Sequence, residues 1–131
     1  MGFDLKSDTG SSLRFSPSGW ALALTLAEEY GWKPAGTSLA RPEWSGEYAS
    51  NEGQRVSGSD AHALAVACER ALADPEYLRR VSTVKQGIDA AVAVEVPDYV
   101  PGLVNPEEML AFRKRLEDLV AFCRGGSFVI E

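Results

Sequence analysis

The stretch Asn105-Pro-Glu-Glu-Met-Leu-Ala-Phe-Arg-Lys-Arg-Leu-Glu-Asp-Leu-Val-Ala-Phe-Cys-Arg-Gly-Gly-Ser-Phe-Val-Ile130 contains a complete helix and the strand that follows it. Asn105 is the expected cap, Pro106 occupies the first turn where its missing N–H is not needed, and Glu108 completes a capping box. Met109, Phe112, Leu116, Leu119, Val120 and Cys123 then recur at three- and four-residue spacing and form one apolar face. Gly125-Gly126 stops the helix, and Ser127 to Ile130 has the β-branched and aromatic composition of a short strand. A one-faced helix running into a strand needs both helix and sheet neighbours, which is the signature of an α+β domain.

Working outward, the N-terminal segment supplies a hairpin. Phe3 and Leu5 alternate with polar residues, the turn Ser7-Asp-Thr-Gly10 follows, and Leu13 with Phe15 resumes the alternation. Ser16-Pro17 begins a helix on which Trp20, Ala23, Leu24, Ala27 and Tyr30 share a face widened by Leu22 and Leu26, and Gly31 caps it. Between Trp32 and Gln54 the breakers Pro34, Gly36, Pro42, Gly46 and Gly53 predict a loop, then a strand pair, 47–50 and 54–56, joined through Asn51-Glu52-Gly53. Ser57 and Asp60 form a capping box for a second helix carrying Ala61, Leu64, Ala65, Cys68, Ala71 and Leu72. Asp74-Pro75 interrupts it, and Tyr77, Leu78 and Val81 are the expected buried positions of a short third helix. Residues 86–104 read mostly as loop, although 90–96 alternates like a strand. The expected architecture is one domain over residues 1–131, with three to four helices on a small, mainly antiparallel sheet that includes an N-terminal hairpin and a C-terminal strand.

With 45% hydrophobic and 24% charged residues in 131, the chain can bury a core without disulfides or a metal. The first residues, Met1-Gly-Phe-Asp-Leu-Lys-Ser-Asp8, lack the basic run of a secretory signal, and no apolar stretch approaches the roughly 20 residues that cross a bilayer. Lys6 stands where a myristoylation motif requires Ser or Thr. The expectation is a cytoplasmic protein without a membrane partner. A net charge of −6 repels phosphate backbones, so nucleic acid is disfavoured as a partner.

Chemistry-bearing residues are sparse. The single histidine, His62, lies beside Asp60 in the first turn of a helix, where the positive end of the dipole disfavours imidazolium, so it reads as a surface histidine. Cys68 is six residues further on, on another side of the same helix, and both it and Cys123 read as small core thiols. No zinc spacing, phosphate loop or nucleophile elbow occurs, and no cofactor is expected. A pair of carboxylates distant in sequence stays open as catalytic machinery, against the ordinary reading of an acidic, solvated surface.

Two stretches stand out. In Trp44-Ser-Gly-Glu-Tyr-Ala-Ser-Asn-Glu-Gly-Gln54, the residues Trp44, Tyr48, Asn51 and Gln54 combine aromatics and amides as binding loops do; the alternative is a packed hairpin with Trp44 and Tyr48 in the core. From Gln86 to Phe112 there is no Lys or Arg, and Asp89, Glu95 and Asp98 form an acidic run that would steer a basic partner; the alternative is a solvated loop plus a helix start.

Three blocks carry a resemblance: Trp20 with Leu26-Ala-Glu-Glu-Tyr-Gly-Trp-Lys-Pro-Ala-Gly-Thr37; Tyr48-Ala-Ser-Asn-Glu-Gly-Gln-Arg-Val56 with Asp60-Ala61; and Ala121-Phe-Cys-Arg-Gly-Gly-Ser-Phe128. In these the chain resembles a family of small uncharacterised bacterial proteins, leaving residues 76–104 uncovered. The resemblance assigns no activity and no residue roles. In size, acidity and lack of motifs the chain is also similar to immunity proteins of bacterial toxin systems. The expected function is therefore non-catalytic protein binding, as an immunity-type inhibitor covering a basic toxin domain. The alternative is a small enzyme or ligand-binding domain with a pocket near Trp44 to Gln54.

Overall fold

Period-two alternation builds the sheet. In the computed structural model, which describes residues 2–32, 48, 53–95 and 106–131, β1 (Phe3–Ser7) and β2 (Ser12–Phe15) form the N-terminal hairpin, with Phe3 opposite Phe15 and Leu5 opposite Leu13. The other edge of β1 takes the C-terminal strand, numbered β4 in chain order (Phe128–Ile130), Leu5 lying opposite Ile130. The remaining strand, β3 (Gln54–Val56), pairs with β4, Val56 opposite Phe128. The sheet is antiparallel throughout, in the order β2-β1-β4-β3. One face carries the buried Leu5, Phe15, Val56, Phe128 and Ile130. The opposite face is polar, with Lys6 paired to Glu131 at 2.7 Å and Arg14 to Asp4 at 3.7 Å.

Four helices among the described residues cover the apolar face. In α1 (Pro17–Glu29) the Ser16 hydroxyl accepts the Gly19 amide at 3.1 Å, Pro17 fills the first turn, and Gly31 beyond the C-terminus takes φ 97°. Ser57 caps α2 (Gly58–Ala73) by accepting the Asp60 amide at 3.2 Å. The small residues Ala61, Ala65, Cys68 and Ala71 are all buried there, and α4 (Pro106–Cys123) makes its most extensive contact with this helix. Leu116 and Leu119 of α4 are fully enclosed. The proposed cap Asn105 lies outside the described residues.

Helix α3 (Tyr77–Glu95) differs from the expectation of a short helix followed by loop. Tyr77, Val81, Val84 and Ile88 repeat at four, three and four residues, so the apolar stripe continues past Gly87. The Ala/Val run at 90–94 that suggests a strand is rich in alanine, the strongest helix former, and propagates the helix already nucleated. Leu78, expected in the core, is 46% exposed because it stands about 100° from Tyr77 on the helix. Strand 54–56 forms as anticipated but pairs with β4; of the proposed partner 47–50 only Tyr48 is described, and it is not in a strand. No helix among the described residues is long and apolar enough to cross a membrane.

Candidate functional site

Where α1 and α3 pack, their facing surfaces leave a groove of about 530 Å³, within the size of ordinary ligand sites. Two rows of α3 residues at four-residue spacing line it, Arg79, Thr83 and Gly87 in one and Arg80, Val84 and Ile88 in the other; α1 contributes Thr25 and Glu29. At 1.5 Å per residue, the α3 side is about 14 Å long. Gly87 forms a notch in it, since a Cβ at that position would meet no atom within 4 Å.

The groove's cations are already neutralised. Arg79 forks onto Glu76. Arg80 Nε lies 3.0 Å from Asp74 Oδ2, and its guanidinium sits 5.5 Å from the centre of the Tyr30 ring. Tyr30 Oη in turn donates to Asp74 Oδ2 at 2.6 Å, so one carboxylate ties the end of α1 to the start of α3. That hydrogen bond, with the Glu76 amide next in weight, holds Asp74 below the usual carboxylate range. Burial, then the Asp74 hydrogen bond, pushes the Tyr30 phenol up to about 12. Among the described residues Glu29 has no such partner. Thr25 and Thr83 donate their hydroxyl protons to the Ala21 and Arg79 carbonyls, at 2.8 and 3.0 Å, leaving oxygen lone pairs for the groove.

None of these groove residues was singled out by motif. The signal was present as the i, i+4, i+8 rows on α3, but it emerges only once the helix is known to run through Gly87.

Of the residues expected at a binding turn, Tyr48 and Gln54 are described. Tyr48 is 2% exposed and belongs to the core, as the packed alternative had it. Its ring stacks on Trp32 at 5.9 Å, its carbonyl accepts Trp20 Nε1 at 2.7 Å, and its hydroxyl donates to Asp60 Oδ2 at 2.5 Å. It therefore offers no surface to a partner. Burial first, and then the Asp60 carboxylate, raise its phenol above the ordinary value, so it stays a donor. Asp60, read as a capping-box residue beside His62, is 4% exposed and is the one buried charged residue among those described. Trp32 Nε1 donates to its carbonyl at 3.2 Å. Trp44, Asn51 and Asp98 lie outside the described residues, and Gln54 begins β3. Asp89 and Glu95 fall on α3, whose last turn carries no basic residue.

His62 is exposed and borders a smaller hollow of about 310 Å³ with Trp32 and Arg70. Cys68 and Cys123 are buried and unbridged. Burial pushes the Cys68 thiol up to about 12 and the Cys123 thiol higher still, so neither is a ready nucleophile. Among the described residues no group of three or more His, Cys, Asp or Glu is placed to hold a metal ion. The α1–α3 groove offers apolar surface from Val84 and Ile88 and acceptor oxygens from Thr25, Glu29 and Thr83. No family model, no curated protein and no solved structure matches the chain.

Proposed function

We propose that the chain is a non-catalytic protein-binding domain, acting as an immunity-type inhibitor that covers a basic surface of its partner with the α1–α3 face. The observation that supports this reading is the groove itself, a preformed concavity on two helices fixed relative to each other by the Tyr30–Asp74–Arg80 linkage. Preorganisation of this kind lowers the ordering penalty of association. The charge of −6 favours a basic partner, and Asp89, Glu95 and Asp98 add to the field that would guide it.

A photoreactive benzoylphenylalanine placed at Thr83 within cells tests the reading, with the same residue at Lys114, on the exposed side of α4, as the control. One discrete protein adduct is expected from position 83 and none from 114. No adduct, or the same adduct from both positions, overturns it. With the partner in hand, replacing Asp89, Glu95 and Asp98 by Lys should slow association at low salt far more than at high salt, because these charges act through a screened field.

A further inference from the structure

From the groove's chemistry we infer that the α1–α3 groove receives a basic segment of the partner protein, with one apolar side chain seated in the Gly87 notch and a Lys or Arg beside Glu29. The inference rests on the binding reading above and specifies its ligand. Three independent features converge on it.

The first is steric. Glycine inside a helix is destabilising relative to alanine by roughly 0.5–1 kcal/mol, so its presence there calls for a reason. At Gly87 no described residue accounts for it, since an added Cβ would stand in open space. The missing side chain leaves a notch flanked by Val84 and Ile88, both partly buried and apolar. A short aliphatic side chain entering there would cover those two residues.

The second is charge. Arg79 and Arg80 are compensated by Glu76 and Asp74, which among the described residues leaves Glu29 as the uncompensated charge of the lining. Beyond Lys85, α3 contains Asp89 and Glu95 and no cation, and the helix ends with its negative dipole pole on that side. The third is hydrogen-bonding capacity. Thr25 and Thr83 have committed their protons to their own helices, so towards the groove they act as acceptors, as Glu29 does. An occupant that donates and carries positive charge satisfies Glu29, Thr25 and Thr83 together, whereas an anionic one would meet the unpaired carboxylate of Glu29 and only guanidiniums already engaged by Glu76 and Asp74.

The probe is the capped pentapeptide Lys-Lys-Leu-Lys-Lys, titrated into the uniformly ¹⁵N-labelled chain, with Glu-Glu-Leu-Glu-Glu and Lys-Lys-Ser-Lys-Lys as comparisons. Amide shifts are expected at Thr25, Thr83, Val84, Gly87 and Ile88 for the first peptide, with at least roughly tenfold weaker binding of the other two, in line with loss of a charge pair or an anchor. Gly87→Leu should abolish the shifts. Should that variant fail to fold, Glu29→Lys serves in its place: on the exposed rim it should weaken binding at low salt, with the difference shrinking as salt is added. Equal binding of the acidic peptide, shifts clustered elsewhere, or unaltered binding by Glu29→Lys would each overturn the inference. If the adduct from position 83 persists while the peptides fail to discriminate, only the nature of the occupant is wrong; if the adduct is missing, the binding reading itself falls.

Discussion

At the scale of single residues, Tyr48, which belongs to no described strand or helix, shows how ring stacking and hydrogen bonds to α1 and α2 hold a side chain in the core. Its phenol and the Asp60 carboxylate are both buried, and each satisfies the other. Removing the hydroxyl takes a donor away from a carboxylate shielded from water, so Tyr48→Phe should destabilise the fold by about 1–3 kcal/mol, measured by urea unfolding. A variant as stable as the parent would show that the carboxylate is served fully by other donors. The thiols give a second expectation at this scale. Cys68 and Cys123 should resist modification by a disulfide reagent in the native chain and react at once in denaturant. Rapid native labelling of either would place it at the surface.

Among the elements, α4 is the one whose periodicity fixes its packing most firmly. Leu116, wholly enclosed, should lose about 2–5 kcal/mol on truncation to Ala. A loss below about 1 kcal/mol would mean that the α2–α4 interface closes over the gap with unusual ease. Elements with strong local signals were legible from the chain: the hairpin from its alternation, α1 and α2 from Ser16 and Ser57, and the final strand from its position after Gly125-Gly126. Helix α3 was not, because a two-residue and a four-residue pattern overlap in its Ala/Val run and Gly87 reads locally as a breaker. Since the groove is made from that helix, it was illegible for the same reason. Asp60 was hidden in another way. Its partner Tyr48 comes from twelve residues earlier, a distance over which no spacing rule operates.

For the molecule as a whole, the buried and half-buried phenols set an alkaline limit. Tyr30 and Tyr77 are raised from 10.0 to about 12, both chiefly by burial, and Tyr48 is raised as well. Their folded-state pKa values exceed the unfolded ones, so the stabilisation is complete below about pH 10 and declines as pH climbs through 10 towards 12. The urea midpoint should therefore fall over that window, and a Tyr30→Phe, Tyr77→Phe double variant should flatten the decline. An unchanged slope in the double variant would assign the alkaline loss to other groups.

The strand order β2-β1-β4-β3 has a further consequence, for the chain as it is being translated. β3 has only β4 as a sheet neighbour among the described residues, and β4 is the last of the four strands to be made. Between Val56 and Phe128 the ribosome must add α2, α3 and α4, which takes on the order of 4–14 s at about 5–20 residues per second. Through that interval the hairpin can form, but β1 and β3 each present an open edge, and the apolar sheet face is unfinished. The nascent chain is then at its most vulnerable to pairing with a neighbour on the same message, where another copy's β4 would fit the gap as well as its own. Chaperone engagement during synthesis should accordingly be concentrated before residue 128 emerges and end once it inserts.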